Sequence, residues 1–163
     1  MAQARWSSIF GSKAAELPEE DTWNLEFDDT IVPKNPAAGW KEYIKKANGR
    51  FACTTCRRQW PSNKVMVIFH MKLEDGTGTV KVRRCRQSCN RCSEAAMVIP
   101  NIEDPTLNAL MDTLIGKIRI KCYNEDQGEG HRRYFQDYEV HNPHEPSNCE
   151  GCRLGICNQN QNV

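Results

Sequence analysis

Three pairs of cysteines carry the chemistry legible in this chain: Cys53-Thr-Thr-Cys56, Cys89-Asn-Arg-Cys92 and Cys149-Glu-Gly-Cys152. Two thiolates in one Cys-x-x-Cys turn can hold a metal ion from the same side. Two such turns brought together close a tetrahedral zinc site. The first two pairs are separated by 32 residues that read as an out-and-back β-hairpin, which returns the chain to its starting point. Cys53, Cys56, Cys89 and Cys92 are therefore the expected ligands of a first zinc ion. The third pair needs two more ligands. Cys122 ends a long amphipathic stretch and His144 stands five residues before Cys149, so the second expected set is Cys122, His144, Cys149 and Cys152. His141 could replace His144, and Cys157 or His70 could replace Cys122. Spacing alone does not decide ligand partnership, and a cross-braced sharing of pairs fits it as well. Cys85, in mid-strand, reads as a core thiol.

A zinc ion with four protein ligands has no open position for a reacting water, so both sites are expected to be structural. No thioredoxin-like βαβ pattern surrounds any pair, and no Glu or His stands near one as in a zinc hydrolase. Catalysis is not expected, and neither is a small-molecule substrate.

The elements that must position these ligands follow from periodicity. Trp6, Ile9 and Phe10 have helical spacing within residues 1–14, which predicts a short helix docked on the domain. Trp23, Leu25 and Phe27 alternate with polar residues, as in a half-buried strand. Asn35-Pro36 resembles a helix start, and Trp40, Tyr43, Ile44 and Ala47 fall on one helical face that Gly49 would end. A second helix is expected there. Two strands, Lys64–Glu74 and Thr79–Gln87, flank Asp-Gly-Thr-Gly, and Ala95–Pro100 offers a further strand. Leu107, Leu110, Met111, Leu114, Ile115 and Ile118 form one apolar stripe after Asp104-Pro105, a core helix. Asn124–Gly130 reads as a loop and Arg132–Val140 as a last strand. The expected class is α+β: a zinc-stabilised antiparallel β-sheet, with a zinc-ribbon-like hairpin and knuckles, packed against two or three helices. Residues 1–157 form the expected domain and residues 158–163 a disordered tail.

With 163 residues, 39% hydrophobic, the chain supports one domain with a modest core, which zinc cross-links would reinforce. The first twenty residues contain no apolar signal-peptide core, so zinc is the better reading of the pairs than disulfides. The longest uninterrupted apolar run, Val65–Phe69, is far below the ~20 residues that span a bilayer. The chain as given is expected to be soluble and cytoplasmic.

Charge is unevenly spread. Residues 50–92 carry ten basic against two acidic residues, while residues 1–49 have six against eight and residues 93–163 six against eleven. This basic module suits RNA, acidic lipid head groups or an acidic partner, unless the acidic flanks fold back and neutralise it. Arg57, Arg58, Lys81, Arg83, Arg84, Arg86 and Arg91 are its candidate contacts, with Trp60 and Phe69 as candidate stacking platforms. Phe69 lies on the more apolar strand face, where core packing is its expected task.

The ordered motifs Gly39-Trp40-Lys41-Glu42-Tyr43, Gly49-Arg50-Phe51-Ala52-Cys53, Phe69-His70-Met71, Gln87-Ser88-Cys89, Asn148-Cys149-Glu150-Gly151-Cys152 and Leu154-Gly155-Ile156-Cys157 resemble the receptor-transporting proteins. These are zinc-finger proteins of the three-CxxC type, and the resemblance covers roughly residues 1–157. It implies a non-enzymatic accessory protein that assists folding, exit from the endoplasmic reticulum and surface delivery of seven-helix, G-protein-coupled receptors such as odorant and taste receptors. It also implies an interferon-induced antiviral branch that binds RNA, which the Cys149-containing tail most resembles. Family members often carry a membrane-spanning helix beyond the third pair. None precedes Val163 here, so membrane association is expected only through clients or through a C-terminal anchor absent here, at the cytosolic face of the endoplasmic reticulum or plasma membrane.

Overall fold

The computed structural model describes residues 2–92, 96–124 and 146–156. Helix α1 (Ala2–Ala14) is followed by strands β1 (Thr22–Phe27), β2 (Lys41–Ala52), β3 (Gln59–Glu74) and β4 (Thr77–Arg84). Helix α2 (Asp104–Tyr123), a 3-10 turn (Pro146–Asn148) and the single turn α3 (Glu150–Arg153) complete the described elements. Among the described residues, no helix is long and apolar enough to cross a membrane. The architecture is α+β, as expected.

One sheet holds the four strands in the order β1-β4-β3-β2. The β3–β4 hairpin turns on Asp75 and Gly76, with φ 52° and 78°. Positive φ at both central residues matches the right-handed twist of the flanking strands, and Asp-Gly is a sequence suited to it. Strand β1 departs from the expected antiparallel scheme. It joins parallel to β4, in register from Thr22↔Thr77 to Phe27↔Val82, and the sheet is mixed.

The segment expected to be a second helix is strand β2. Gly39 has φ 85°, a left-handed conformation that stops any helix running on from Pro36. Beyond it, Tyr43 and Ile44 suit a pleated surface, and the ladder offered by β3 outweighs a helical pattern spanning only two turns. Residue 95, residues 125–130 of the expected loop, the last strand expected at 132–140 and the tail at 158–163 lie outside the described residues. Of the strand expected at Ala95–Pro100, an isolated bridge of Val98 with Gln87 is present, and Asn101 bridges Arg50.

The chain divides into two compact units, the first Met1–Ile44, Ile68–Arg83 and Asp104–Phe135, the second Lys45–Val67, Arg84–Glu103 and Gln136–Val163. In the first, α1 packs on β1 and α2. Trp6 meets Phe27 edge-on at 5.4 Å. The whole expected stripe of α2, from Leu107 to Ile118, is buried. Polar side chains of α1 also cover the outer edge of β1: Gln3 accepts from Phe27 N–H at 3.0 Å and Ser7 donates to Leu25 C=O at 3.2 Å. That leaves these edge groups satisfied rather than open to another chain.

At the far end of α2, Trp23 Nε1 donates to Tyr123 Oη at 2.9 Å, and Tyr123 donates in turn to Asp21 at 2.6 Å. The indole lies over Gly78, its register partner, where a Cβ would come within 2.2 Å of the ring. Only glycine leaves that space.

The second unit has a different composition. Phe51 stacks on Trp60 at 5.5 Å, and Val65, Val67 and Ile102 are almost fully buried beside polar Ser62 and Gln87. The cysteine turns project from this framework.

Candidate metal centre

The first cysteine turn begins where β2 ends. Cys53 N–H donates to Arg58 C=O at 2.8 Å and Arg57 N–H donates to Cys53 C=O at 3.0 Å, closing a small loop. Arg57 takes φ 62° to complete the reversal. The second turn follows β4, after Cys85–Ser88. Between them, Cys53 Sγ lies 3.8 Å from Cys92 Sγ, and Cys56 Sγ 3.8 Å from Cys89 Sγ. All four sulfurs are within 4.8 Å of one another.

Those separations fit a tetrahedral ion: zinc–sulfur bonds near 2.3 Å place sulfurs about 3.8 Å apart along each edge. Donor type agrees as well, since four soft thiolates select zinc over magnesium or calcium. The arrangement fills every position of a tetrahedral zinc with protein, so the chemistry it supports is cross-linking rather than activation of water.

The electrostatics of the thiols point the same way. Backbone N–H groups of Cys56 and Thr55 aim at Cys53 Sγ from 3.5 and 3.3 Å and hold its thiol down to about 6. Cys92 is pushed up to about 12, chiefly by its hydrogen bond with Cys56 and then by burial. For Cys89, burial opposes ionisation, but the Arg91 N–H and the Cys56 and Arg58 side chains outweigh it and lower the thiol. Four thiols this close cannot ionise independently. A divalent cation at their centre stabilises all four as thiolates.

A polar network supports the two turns. Gln87, 8% exposed, accepts from Trp60 Nε1 at 2.8 Å and donates to Ser62 Oγ at 3.1 Å. Its backbone exchanges two hydrogen bonds with Val98. Arg58 lies over the Trp60 ring at 5.0 Å. Sequence reasoning missed Gln87, because glutamine is ordinarily exposed and its two partners are distant in sequence.

The third pair is docked by main chain. Ser88 N–H donates to Asn148 C=O and Glu150 N–H to Arg86 C=O, both at 2.9 Å, and Gln87 bridges Cys149. Cys149 is buried and Cys152 half-buried in the turn of α3. Cys122 belongs to the other unit, half-buried in the last turn of α2, where burial pushes its thiol up against the pull of Lys41 and Lys121. His144, like His141 and Cys157, lies outside the described residues. His70, the other alternative ligand, is buried and meets Glu42 through Nε2 at 2.8 Å. Cys85 is 3% exposed, consistent with a core thiol.

The candidate nucleic-acid contacts are scattered in environment. Arg57 and Arg91 are exposed on the two cysteine turns, and Arg58 and Arg86 are half-buried. Lys81 reaches Asp28 at 3.5 Å and the Trp40 ring at 5.1 Å. Arg83 donates to Ile31 C=O at 2.7 Å, and Arg84 is only 9% exposed. Of the two candidate platforms, Trp60 is flanked by Phe51 and Arg58, and Phe69 is fully buried against Tyr43.

Comparison with known proteins adds what geometry cannot. A three-CxxC zinc-ribbon family profile, described as a zinc-binding domain, matches residues 46–155. Receptor-transporting protein 3 of Mus musculus is 32% identical over 96% of this chain, which spans 34% of that protein. Receptor-transporting protein 2 of Mus musculus is 31% identical over 96% of this chain and 71% of its own length. Receptor-transporting protein 4 of Homo sapiens is 30% identical over 94% of this chain and 64% of its own length. The chain thus spans about a third to seven-tenths of these relatives. No solved structure matches. A profile covering most of the chain, and relatives alike in name across nearly all of it, establish that this chain belongs to the receptor-transporting protein family and carries its zinc-binding domain.

Proposed function

We propose that this protein is a zinc-dependent accessory protein that assists folding and membrane delivery of seven-helix receptors. The observation that carries the reading is the closed four-thiol cluster at Cys53, Cys56, Cys89 and Cys92 within a domain shared with proteins named for receptor transport. A metal that supplies no reactive position serves by holding a binding surface in shape. Client receptors meet that surface on the cytosolic side of the membrane. Co-expression with a panel of G-protein-coupled receptors tests this: their surface level rises with the intact protein and not with a Cys53→Ser/Cys89→Ser variant. Equal surface levels with and without the intact protein would sink the reading.

A second structural zinc at Cys149 and Cys152 belongs to the same proposal, with Cys122 and His144 as the partners expected from spacing. Support comes from the docking of the third pair beside Arg86–Ser88, which holds its two thiols on a framed turn. Zinc per chain, measured by elemental analysis, then falls from two to one in Cys149→Ser/Cys152→Ser. An unchanged count removes the second site, and an unchanged count in Cys122→Ser alone removes that residue from the set.

RNA binding is a second reading, favoured by the exposed Arg57 and Arg91 on the cysteine turns. It rests on phosphate contact rather than stacking, given the flanked Trp60 and buried Phe69. Affinity should fall steeply with salt. Retention of RNA by Arg57→Glu/Arg91→Glu at unchanged salt dependence would dispose of it.

A further inference from the structure

The four thiols of the metal centre are not equivalent to solvent. Cys53 and Cys89 are 5% and 3% exposed and Cys92 is half-buried, whereas Cys56 is exposed. Their hydrogen bonding differs in the same direction. Cys53 Sγ receives the N–H groups of Thr55 and Cys56, and Cys89 receives the Arg91 N–H and the Arg58 side chain. Among the described residues Cys56 Sγ is held by no N–H donor; its partners are the other sulfurs, Cys89 at 3.8 Å together with Cys53 and Cys92. Donors aimed at a thiolate draw charge from the lone pairs an electrophile must reach. Cys56 is therefore the one exposed sulfur of the four, and it lacks the N–H donors that quieten Cys53 and Cys89.

We propose that Cys56 is a peroxide-modification site through which oxidation opens the zinc centre, with Cys89 as the resolving cysteine. The Cys56 thiolate attacks one oxygen of a hydroperoxide, here hydrogen peroxide, and the O–O bond breaks to give a sulfenic acid and hydroxide. The Cys89 thiolate then displaces hydroxide from that sulfur and forms the S–S bond. Two thiolates lose two electrons, the peroxide gains them, and two protons from solvent convert both hydroxides to water. With Cys56 and Cys89 joined, only Cys53 and Cys92 would remain to hold a zinc ion, and the centre would no longer retain it.

Geometry favours this pairing. The Cys56 and Cys89 sulfurs already face each other across one edge of the tetrahedron, so closing the bond needs movement of two short turns. Cys89 is inaccessible to the first attack, yet within reach of the sulfenic acid once it forms on Cys56. The consequence is a binding surface that is lost under peroxide and recovered by a dithiol with zinc. This inference rests on the zinc reading but goes beyond it.

The test uses the wild-type, zinc-loaded chain. Zinc content is measured first, because a protein without zinc overturns the metal reading itself. Sub-stoichiometric hydrogen peroxide is then added with a chromogenic zinc chelator present, free thiols are blocked with N-ethylmaleimide, and peptides are mapped by mass spectrometry. One zinc released per Cys56–Cys89 bond, reversed by dithiothreitol and zinc, is the expected result. Zinc retained while Cys122 oxidises, or a first oxidation at any cysteine other than Cys56, overturns the proposal. A Cys56→His variant, which keeps a zinc ligand without a thiolate, should release zinc at least about tenfold more slowly. Release at the wild-type rate from that variant overturns it too, and if the variant does not hold zinc the wild-type map decides alone.

Discussion

The helix-bearing unit and the cysteine-bearing unit draw their cohesion from different materials. In the first, Trp6, Phe10, Leu107, Met111, Leu114 and Ile118 are each at most 1% exposed, and His70 is its one buried polar residue among those described. In the second, Asn48, Ser62, Arg84, Gln87 and Ser88 are buried alongside four clustered thiols. Apolar burial is non-directional and indifferent to metal or mild acid. Buried polar groups and thiolates stabilise only when each partner is present, and removing one leaves the other costly. The contrast teaches that one chain can hold a conventional core and a region whose stability is conditional.

The sharpest way to break this contrast is to remove zinc. Thiolate-bound structural zinc contributes ~10–16 kcal/mol in finger peptides. Chelation should therefore abolish amide protection at residues 50–67 and 84–92 while α1 and α2 keep theirs, as read by hydrogen exchange. Equal loss throughout would show a single cooperative block. Acid reaches the same end by proton competition. The Cys53 thiol, lowered from 9.0 to about 6, favours the folded cluster above 9.0, and this contribution declines as pH falls and is gone below about 6. Zinc retention, followed by equilibrium dialysis, should weaken progressively as pH falls from 9.0 toward 6, and retention unchanged across that window would count against the contribution of Cys53.

Trp6→Ala attacks the other side of the comparison. Losing this buried indole should cost about 3–5 kcal/mol, seen as a lower thermal midpoint with zinc content unchanged. Gly78→Ala is smaller. Its methyl group must displace Trp23 from a seat that leaves 2.2 Å, at a cost of about 1–3 kcal/mol and with a change in tryptophan fluorescence. Smaller again, Gln87→Ala strips Trp60 N–H and Ser62 Oγ of a partner, costing about 1–2 kcal/mol. Faster zinc loss in Gln87→Ala than in Trp6→Ala would tie the polar network to the metal turns. The reverse order would place their control in the apolar core.

Hydrogen bonds between distant segments explain what was legible and what was not. The paired Cys-x-x-Cys turns, the Asp75-Gly76 reversal and the α2 stripe are encoded within a few residues, so spacing announces them. Strand β2 was misread as a helix because Trp40, Tyr43, Ile44 and Ala47 satisfy helical spacing over a stretch too short to exclude a strand. Its fate depends on β3, which offers a ladder, and on Gly39, whose left-handed φ no periodicity reports. The parallel seat of β1 on β4 has the same character, since its strands are joined through the rest of the sheet.

Residue types and local spacing thus determined the meeting of Cys53 and Cys56 with Cys89 and Cys92, the helix that supplies the apolar core and the turn between the central strands. Only the folded chain decided that Cys56 faces solvent while its three companions are shielded, that Gln87 joins Trp60 to Ser62, and that the third cysteine pair docks beside Arg86–Ser88. The reason is range: a turn or a helical face is fixed by neighbours along the chain, whereas exposure and buried hydrogen bonding depend on which remote segments arrive to exclude water.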